Sequence, residues 1–270
     1  AGVLTCAPSA SALGLDSFPD GGLLVRTVPS DSLQAQAIAR IAETTGAASG
    51  AVVYLDDAYG RPLGQAVEAA PGLEGTTVAA TVGFQDTESS ISAAVDAIGV
   101  ADPEVVAVIA DARTGPAMVA AIDAATGGQI TFVVNDAGRR PDAAVQPYGA
   151  DLAARVLGVS PQAYSSSSAF TNALLSVDAE ASGLYAQNAY DCLNIIALAA
   201  VASGSNRPTE IAAQIPGVTA SGSTCSTFPA CADAPAARPN INYEGPSGNR
   251  AIKPNGEKAS PGFEPYLQHM

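Results

Sequence analysis

Short apolar segments alternate with segments of helical pattern over residues 24–158, and this alternation limits the possible folds more than any other feature. In the clearest unit, the apolar run Val52–Leu55 stops at two aspartates and leads through Tyr59 and a glycine into a predicted helix over 63–70. Alternating short strands and helices predict an α/β fold with a parallel, doubly wound sheet in one compact lobe. Ligands of such sheets bind outside the carboxyl ends of the strands, so Tyr59 is expected on a ligand-side loop.

The other predicted elements follow the same reasoning from period and capping signals. A strand at 23–27 precedes a helix that Ser30 or Asp31 caps and that ends near Gly46. The further units are strand 76–82 with helix 89–98, strand 105–110 with helix 117–125, and strand 130–134 with a short helix near 152–157.

Beyond residue 158 the pattern changes. A long, largely buried helix is predicted over 184–202, and another begins at Pro208 and runs to Ile215. Strand–helix repeats do not accompany these helices, although helices of this kind need a sheet to pack on. The serine run 165–168 is interpreted as a flexible loop rather than a nucleophile.

Composition and charge exclude several classes of function. Twelve Lys and Arg against 26 Asp and Glu give a net charge of −14, which argues against nucleic acid or an anionic membrane as partner. No apolar run reaches the roughly 18–20 residues of a membrane span. The N-terminus shows no charged region followed by an apolar one, so a signal peptide is expected to be absent or already removed.

Sequence motifs give little support for an enzyme or for a cofactor. The chain contains no nucleophile elbow, phosphate loop or dinucleotide fingerprint. The only histidine is His269, next to the last residue, and this argues against a zinc site and against a catalytic triad. We therefore expect no enzymatic activity, no metal and no cofactor.

The four cysteines suggest an oxidising compartment. Cys225 and Cys231 bracket five residues in a region rich in Gly, Ser and Pro, where a local disulfide is plausible and two free thiols are the alternative. Cys6 and Cys192 lie in apolar contexts, where they could pair or remain buried thiols.

Four motifs in order resemble one family over nearly the whole chain. They are Arg26-Thr27-Val28-Pro29-Ser30-Asp31, Asp57-Ala58-Tyr59-Gly60, Ala189-Tyr190-Asp191 and Asn242-Tyr243-Glu244-Gly245-Pro246-Ser247-Gly248. The family is that of the type I periplasmic solute-binding proteins of ABC importers, in particular its branched-chain amino-acid-binding group. A subgroup with a small disulfide loop near the C-terminus is matched by Cys225 and Cys231.

The resemblance implies two α/β lobes that close on a ligand, of which this chain holds one complete lobe and part of the other. It divides the chain into a remnant of the N-terminal lobe and hinge (1–28), a complete C-terminal lobe (29–160), N-terminal-lobe helices with the disulfide loop (161–239), and hinge-crossing terminal strands (240–270). Most of the N-terminal lobe is lacking by this comparison. We therefore expect a fragment, a processed product or a protein that lost this section, which a second chain could supply.

The resemblance also implies ligand-binding residues. The loop Ser9-Ala10-Ser11, after Pro8, would hold a ligand carboxylate through backbone N–H groups and a hydroxyl, the alternative being an ordinary loop. Tyr59 would cover the ligand, or else pack on the following helix. Asp136 would pair with the ligand ammonium, with Asn135 the alternative for this position and a solvated loop acid the plainer interpretation.

Asp111 and Arg113 follow the strand 105–110, where the family that this chain resembles often has an aromatic or small polar residue. If both face a ligand, the ligand carries charge beyond an amino-acid head group; if they pair with each other, they are structural.

The function implied is the extracytoplasmic substrate-binding component of an ABC importer, whose membrane permease is a partner. Its ligand is expected to be a small polar molecule, an amino acid or a related compound, bound by closure of two lobes. The alternatives are a ligand-sensing module and an interaction or structural protein that kept part of the fold without ligand binding.

Overall fold

The computed structural model divides the chain into two compact units. The first unit comprises Ala1–Ser30 and Gln162–Gly262, and the second comprises Asp31–Pro161 and Phe263–Met270. The structure describes residues 2–70, 75–138, 148–161, 168–178, 185–220, 222–232, 241–248, 251–257 and 262–267. Within those residues, no helix has both the length and the apolar character needed to cross a membrane.

The strands are β1 Thr5–Ala7, β2 Leu24–Arg26, β3 Ser49–Leu55, β4 Thr77–Phe84, β5 Val105–Ile109, β6 Thr131–Val134, β7 Val156–Pro161, β8 Ser223–Cys225, β9 Ile241–Tyr243 and β10 Phe263–Leu267. The α-helices are α1 Asp31–Thr44, α2 Gly60–Glu68, α3 Glu88–Ala101, α4 Thr114–Thr126, α5 Ala150–Ala153, α6 Ser168–Val177, α7 Ala186–Ser203, α8 Pro208–Thr219 and α9 Phe228–Ala232. Short 3₁₀ turns lie at Leu13–Leu15 and Asp136–Gly138.

The second unit is built on a six-stranded sheet with the order β10-β7-β6-β5-β3-β4. All neighbouring strands run parallel except β10, which is antiparallel to β7. The α/β class with a parallel sheet is thus confirmed. After β3 the chain places β4 on one side and β5 on the other, so the winding reverses direction at β3.

Both faces of this sheet are covered, which explains why its strands are nearly continuous apolar runs. One core contains residues of α3 and α4 together with alternate strand residues such as Val53, Val108 and Val134. The intervening Val52, Ala107 and Val133 are also buried and point to the opposite face. There α1 contacts β5, β6 and β7 and also packs on α2.

Helix α1 shows why its sequence forms a helix at this place. Its buried residues recur at helical spacing. They are Asp31, Gln34, Ala35, Ile38, Ala39 and Ala42. The helix is followed by Gly46, whose φ of +74° and N–H bond to the Glu43 carbonyl make the left-handed turn expected after a helix.

The prediction of a short helix near 152–157 is wrong in its extent. Helix α5 ends at Ala153, and Val156–Pro161 forms the strand β7 between β6 and β10. A strand in that position is buried on both faces, and Val156, Val159 and Ser160 are all fully buried. Helix α6 was not predicted, because its first residue, Ser168, belongs to the serine run 165–168 that the sequence analysis interpreted as a loop. Residues 165–167 of that run lie outside the described part of the chain.

The described part of the first unit contains two parallel strand pairs, β1 with β2 and β8 with β9. Helices α7 and α8 pack against each other, and α8 also contacts β9. Their core includes Ile195, Leu198, Ile215, Ile241 and Tyr243. The helix predicted over 184–202 is therefore present, but it is buried on one side only, since Leu193 is 73% exposed.

Two disulfides fasten the first unit. The predicted bond joins Cys225 to Cys231, and a second joins Cys6 to Cys192. The latter ties β1 to α7 across a sequence separation of 186 residues. Of the two alternatives that the sequence left open for this pair, the structure contains the disulfide.

Candidate functional site

The reversal of winding in the second unit marks the expected ligand edge of its sheet. Strands β3 and β5 are neighbours, but β3 connects to β4 on one side of the pair, whereas β5 connects to β6 on the other side. In open α/β sheets, ligands bind outside the carboxyl ends of the strands at such a switch point. The loops after β3, β5 and β6 meet at this edge and bring polar side chains together.

The hydroxyl of Tyr59 is the centre of this group. It lies 2.9 Å from Oδ1 of Asp136 and 3.3 Å from Oε1 of Gln34, and it accepts a bond of 3.2 Å from Nδ2 of Asn135. These four residues, Gln34, Tyr59, Asn135 and Asp136, are called the Tyr59 cluster below. Tyr59 is half-buried, and the other three are buried.

The loop after β3 fixes the backbone of Tyr59. Oδ1 of Asp57 accepts bonds from the backbone N–H groups of Tyr59 at 2.9 Å and Gly60 at 2.6 Å. A Cβ on Gly60 would lie 2.2 Å from the Leu55 carbonyl oxygen, so only glycine fits there without a backbone shift. The Asp57 carboxylate therefore shapes the turn that starts α2.

Asn135 joins the ends of two strands to Tyr59. Its Oδ1 accepts from the N–H of Ala110 at 3.2 Å, which connects the segments following β5 and β6. Its Nδ2 donates to the Tyr59 hydroxyl, while Asp136 accepts from that hydroxyl. The sequence left Asn135 and Asp136 as alternatives for one position, and the structure brings both to the cluster in different roles.

Gln34 is a cluster member that the sequence interpretation missed. It lies one helical turn after Asp31 on the buried face of α1, and both residues are fully buried. The available signal was a pair of polar residues at i and i+3 on a face that is otherwise Ala and Ile. A polar first turn on an apolar helix face indicates that this turn reaches a polar site.

The environment keeps Tyr59 protonated. Burial raises the pKa of the Tyr59 hydroxyl, and the nearby charges of Asp136 and Asp31 raise it further. Tyr59 therefore acts as a neutral hydrogen-bond donor. With a carboxyl group and two carboxamides around it, the cluster can bind a polar or cationic group.

Asp111 and Arg113 make structural contacts with other residues. Oδ1 of Asp111 accepts from the N–H groups of Arg113 at 2.8 Å and Thr114 at 2.6 Å, which caps the start of α4. Burial opposes the effect, but these bonds hold the pKa of Asp111 below its usual value. Arg113 forms an exposed ion pair with Asp86 rather than with Asp111. A ligand contact by either residue stays a prediction.

The loop Ser9-Ala10-Ser11 belongs to the first unit. Ser9 and Ala10 are exposed, whereas Ser11 is buried and its carbonyl accepts a bond from the Arg26 guanidinium at 3.1 Å. Binding of a ligand carboxylate by this loop also stays a prediction. Among the residues that the structure describes, no group of three His, Cys, Asp or Glu side chains is arranged to hold a metal ion.

Comparison with protein families gives one match that covers most of the chain. Residues 4–264 match the family described as the receptor family ligand binding region. None of the curated proteins is similar enough in sequence to match the chain.

Solved structures of similar fold include substrate-binding proteins of transporters. The branched-chain amino acid transporter protein LivJ from Streptococcus pneumoniae, in complex with isoleucine, is 18% identical at a TM-score of 0.71, covering 95% of this chain and 67% of that one. A solute-binding protein from R. palustris in complex with benzoate is 13% identical at a TM-score of 0.75, covering 99% and 68%. The leucine-binding protein LivK from Thermotoga maritima is 17% identical at a TM-score of 0.68, covering 91% and 65%.

Proposed function

Because this chain belongs to the receptor family of ligand-binding regions and has the type I periplasmic-binding-protein fold, we propose that it is the substrate-binding component of an ABC importer. Its ligand is a small polar molecule, an amino acid or a related compound. The family is one of ligand-binding proteins, in line with the expectation that the chain is not an enzyme. The membrane permease of the importer is the proposed partner.

The observation that carries this proposal is the position of the Tyr59 cluster. Four polar side chains from α1 and from the loops after β3 and β6 converge at the sheet edge where β3 and β5 diverge. Burying polar groups is unfavourable unless each gains a partner, so a buried group of this size needs a structural or a binding reason. The topological switch point favours binding.

The chemistry of the cluster favours an amino compound over an aromatic acid. The solved structures of this fold include complexes with isoleucine and with benzoate. Asp136 puts a carboxyl group in the buried cluster, where an ammonium group gains a charged partner and a benzoate carboxylate meets a like charge. We therefore place amino acids and related amines first.

An extracytoplasmic location completes the proposal. Two disulfides need an oxidising compartment to form and persist. The net charge of −14 is compatible with a soluble protein outside the cytoplasm.

Thermal-shift screening against the twenty amino acids, simple amines and benzoate tests the proposal. A ligand that binds only the folded state raises the melting temperature, and the rise grows with ligand concentration. We expect at least one amino compound to do so and benzoate to have no effect. Calorimetric titration of the best compound then gives its affinity.

The variant that tests the role of Asp136 is Asp136→Asn, which keeps the size of the side chain and replaces the carboxyl group by an amide. It is expected to weaken binding of the amino compound selectively. A wild-type protein that responds to none of these compounds would contradict the proposed function. A response to benzoate alone would keep ligand binding but overturn the ligand class.

A further inference from the structure

Gln34 is a fully buried glutamine on the buried face of α1. Apart from Asp31, the other buried residues of this face are alanines and one isoleucine. Burial removes the carboxamide from water, which is unfavourable unless its ends gain partners in the protein or in a ligand. An apolar side chain of similar volume would not have that requirement, so the carboxamide of Gln34 needs a specific polar role.

The contact with Tyr59 satisfies only one end of this carboxamide, and only in part. Oε1 of Gln34 lies 3.3 Å from the Tyr59 hydroxyl, which has a single proton to donate. The same hydroxyl lies 2.9 Å from Oδ1 of Asp136, which is the shorter contact. The proton therefore serves Asp136 first, and the contact with Tyr59 does not by itself explain a glutamine at this position.

The other end of the carboxamide has no partner. Nε2 of Gln34 carries two N–H donors, is shielded from solvent and bonds to no residue that the structure describes. Because Nε2 and Oε1 share one carbon, this donor lies within the Tyr59 cluster, close to the Tyr59 hydroxyl. A buried donor without an acceptor destabilises the protein, and an oxygen atom of a ligand that reaches it removes that penalty.

The bonds of the other cluster members show why Gln34 differs from them. Nδ2 of Asn135 donates to the Tyr59 hydroxyl at 3.2 Å, and Oδ1 of Asn135 accepts from the N–H of Ala110. Oδ1 of Asp136 accepts from Tyr59 and also from the N–H of Ala137 at 2.9 Å. These bonds hold the cluster together, whereas Nε2 of Gln34 is a donor that the cluster can offer to an acceptor atom of the ligand.

The chemistry of an amino acid decides which of its parts Nε2 can bind. In the proposed function the ligand ammonium pairs with Asp136, and an ammonium group has no acceptor for an N–H donor. The ligand carboxylate has a predicted site in the loop Ser9-Ala10-Ser11. The side chain of the ligand is the remaining part, and a hydrogen bond from Nε2 requires an oxygen atom on it.

We propose that Gln34 is a specificity-determining residue: its Nε2 donates to an oxygen on the ligand side chain, so the ligand is an amino acid with a carboxamide or hydroxyl side chain. A site with a buried hydrogen-bonding group rejects an analogue that leaves this group unpaired. Aliphatic amino acids, such as the isoleucine in complex with LivJ, should therefore bind this chain less well. The inference rests on the proposed function, since it assumes that the Tyr59 cluster binds an amino acid.

Two pairs of ligands with matched shape test this inference. Asparagine and leucine have similar branched outlines, as do threonine and valine, and only the first member of each pair has a side-chain oxygen. Calorimetric titration of wild-type protein should give an affinity for the polar member that is about tenfold or more above that for the apolar member. All other amino acids are titrated in the same way, so that the tightest ligand is known.

Two variants act on the same nitrogen in different ways. Gln34→Met removes Nε2 at similar volume, and the preference for the polar ligand should vanish. Gln34→Glu keeps Oε1 and replaces the donor by an oxygen, so it should lose the same preference. Gln36→Met is the matched control, because Gln36 lies on the same helix with its side chain exposed, and this variant should bind as wild-type protein does. Melting temperatures without ligand show that each variant is folded.

Several results would overturn the inference, and they differ from failure of the proposed function. If the tightest amino acid has no side-chain oxygen, or leucine and valine bind as tightly as asparagine and threonine, the inference is wrong while amino-acid binding stands. It is also wrong if a folded Gln34 variant keeps the wild-type preference, or if Gln36→Met loses it equally.

Equal weakening of polar and apolar ligands by Gln34→Met would place Nε2 on a group that all amino acids share, which again contradicts the inference. If wild-type protein binds no amino acid, the inference fails. The proposed function fails with it only if the other amines do not bind either.

Discussion

The hydroxyl of Tyr59 lies 2.9 Å from Oδ1 of Asp136, although 77 residues separate them in sequence. The contact exists because β3 and β6 run parallel in one sheet, so the loops that follow them emerge at the same edge. It joins the aromatic and the acidic residue that the sequence had suggested separately for ligand binding.

Tyr59→Phe removes this bond and keeps the ring. Asn135 also loses its acceptor, so the free energy of unfolding should fall by about 1–2 kcal/mol. Ligand affinity should fall as well, because Asp136 is no longer oriented. Tyr54→Phe on β3 is the control, since it also removes a phenolic hydroxyl from this sheet, whereas the hydroxyl bonded to Asp136 and Asn135 is that of Tyr59. Equal effects of the two substitutions in denaturant titrations and ligand titrations would argue against a special role for Tyr59.

Alkaline pH should destabilise the fold through two tyrosines. Burial and adjacent carboxylates raise the pKa of Tyr59 and of Tyr243, whose hydroxyl donates to Asp191 at 2.8 Å. Above the ordinary tyrosine pKa of about 10, the unfolded chain releases protons that the folded chain retains, so stability falls as pH rises. Each tyrosine contributes a slope of up to about 1.4 kcal/mol per pH unit.

The measurement is the free energy of unfolding at a series of pH values from about 8 to about 11, a range that includes the ordinary tyrosine pKa of about 10. Tyr59→Phe and Tyr243→Phe should each flatten the decline above pH 10. If ultraviolet titration of the folded protein shows both phenols ionising at their ordinary pKa, the assignment of buried, protonated hydroxyls is wrong.

The two disulfides should differ in their effect on stability. Cys6–Cys192 closes a loop across 186 residues, whereas Cys225–Cys231 closes one across 6. In the loop-entropy description, removing the long connection lowers the unfolding free energy by about 5 kcal/mol and removing the short one by about 2 kcal/mol. Paired Cys→Ala variants in denaturant titrations measure both values. A larger loss for the short loop would show that native contacts around Cys231, rather than chain entropy, dominate.

Asp111 and Arg113 offer a test between capping and ligand contact. Asp111→Ala removes the cap of α4 and should lower the unfolding free energy by about 1 kcal/mol. The lowered pKa of Asp111 means that this stabilisation is present above the ordinary aspartate pKa and is lost as pH falls through the lower folded value. Arg113→Ala breaks only an exposed pair and should leave stability unchanged. A large loss of ligand affinity in either variant would support the original ligand-contact prediction.

The sequence predicted the fold where the hydrophobic period was unambiguous. Strand β5 is an apolar run with a helix start after it, and both elements are present. Strand β7 was missed, and its first two residues were included in the predicted helix near 152–157, because Val156–Pro161 contains a glycine, a serine and a proline and its burial depends on β6 and β10 on either side. Such a strand is identified by its neighbours rather than by its own pattern.

The candidate site was predictable only as far as local signals reach. Tyr59 and Asp136 follow strands, and a strand end is visible in sequence. Gln34 contacts Tyr59 from a helix, and Arg26 pairs with Glu257 at a separation of 231 residues. Neither contact has a local signature, because both depend on the tertiary approach of distant segments.

Gly60 should be the least replaceable residue of the ligand-side loop. Its backbone passes so close to Leu55 that an alanine Cβ would lie 2.2 Å from the Leu55 carbonyl oxygen, which is backbone and cannot rotate away. Gly60→Ala must therefore shift the turn that Asp57 holds, and with it the position of Tyr59. We expect a loss of about 1–3 kcal/mol, as for overpacked sites, together with weaker ligand binding. Gly99→Ala in α3 is the control, because nothing lies within 4 Å of its added Cβ and alanine favours helix by about 0.5–1 kcal/mol. Denaturant titration should thus show opposite signs for the two substitutions, and a neutral Gly60→Ala that binds ligand normally would mean that the loop is free to adjust.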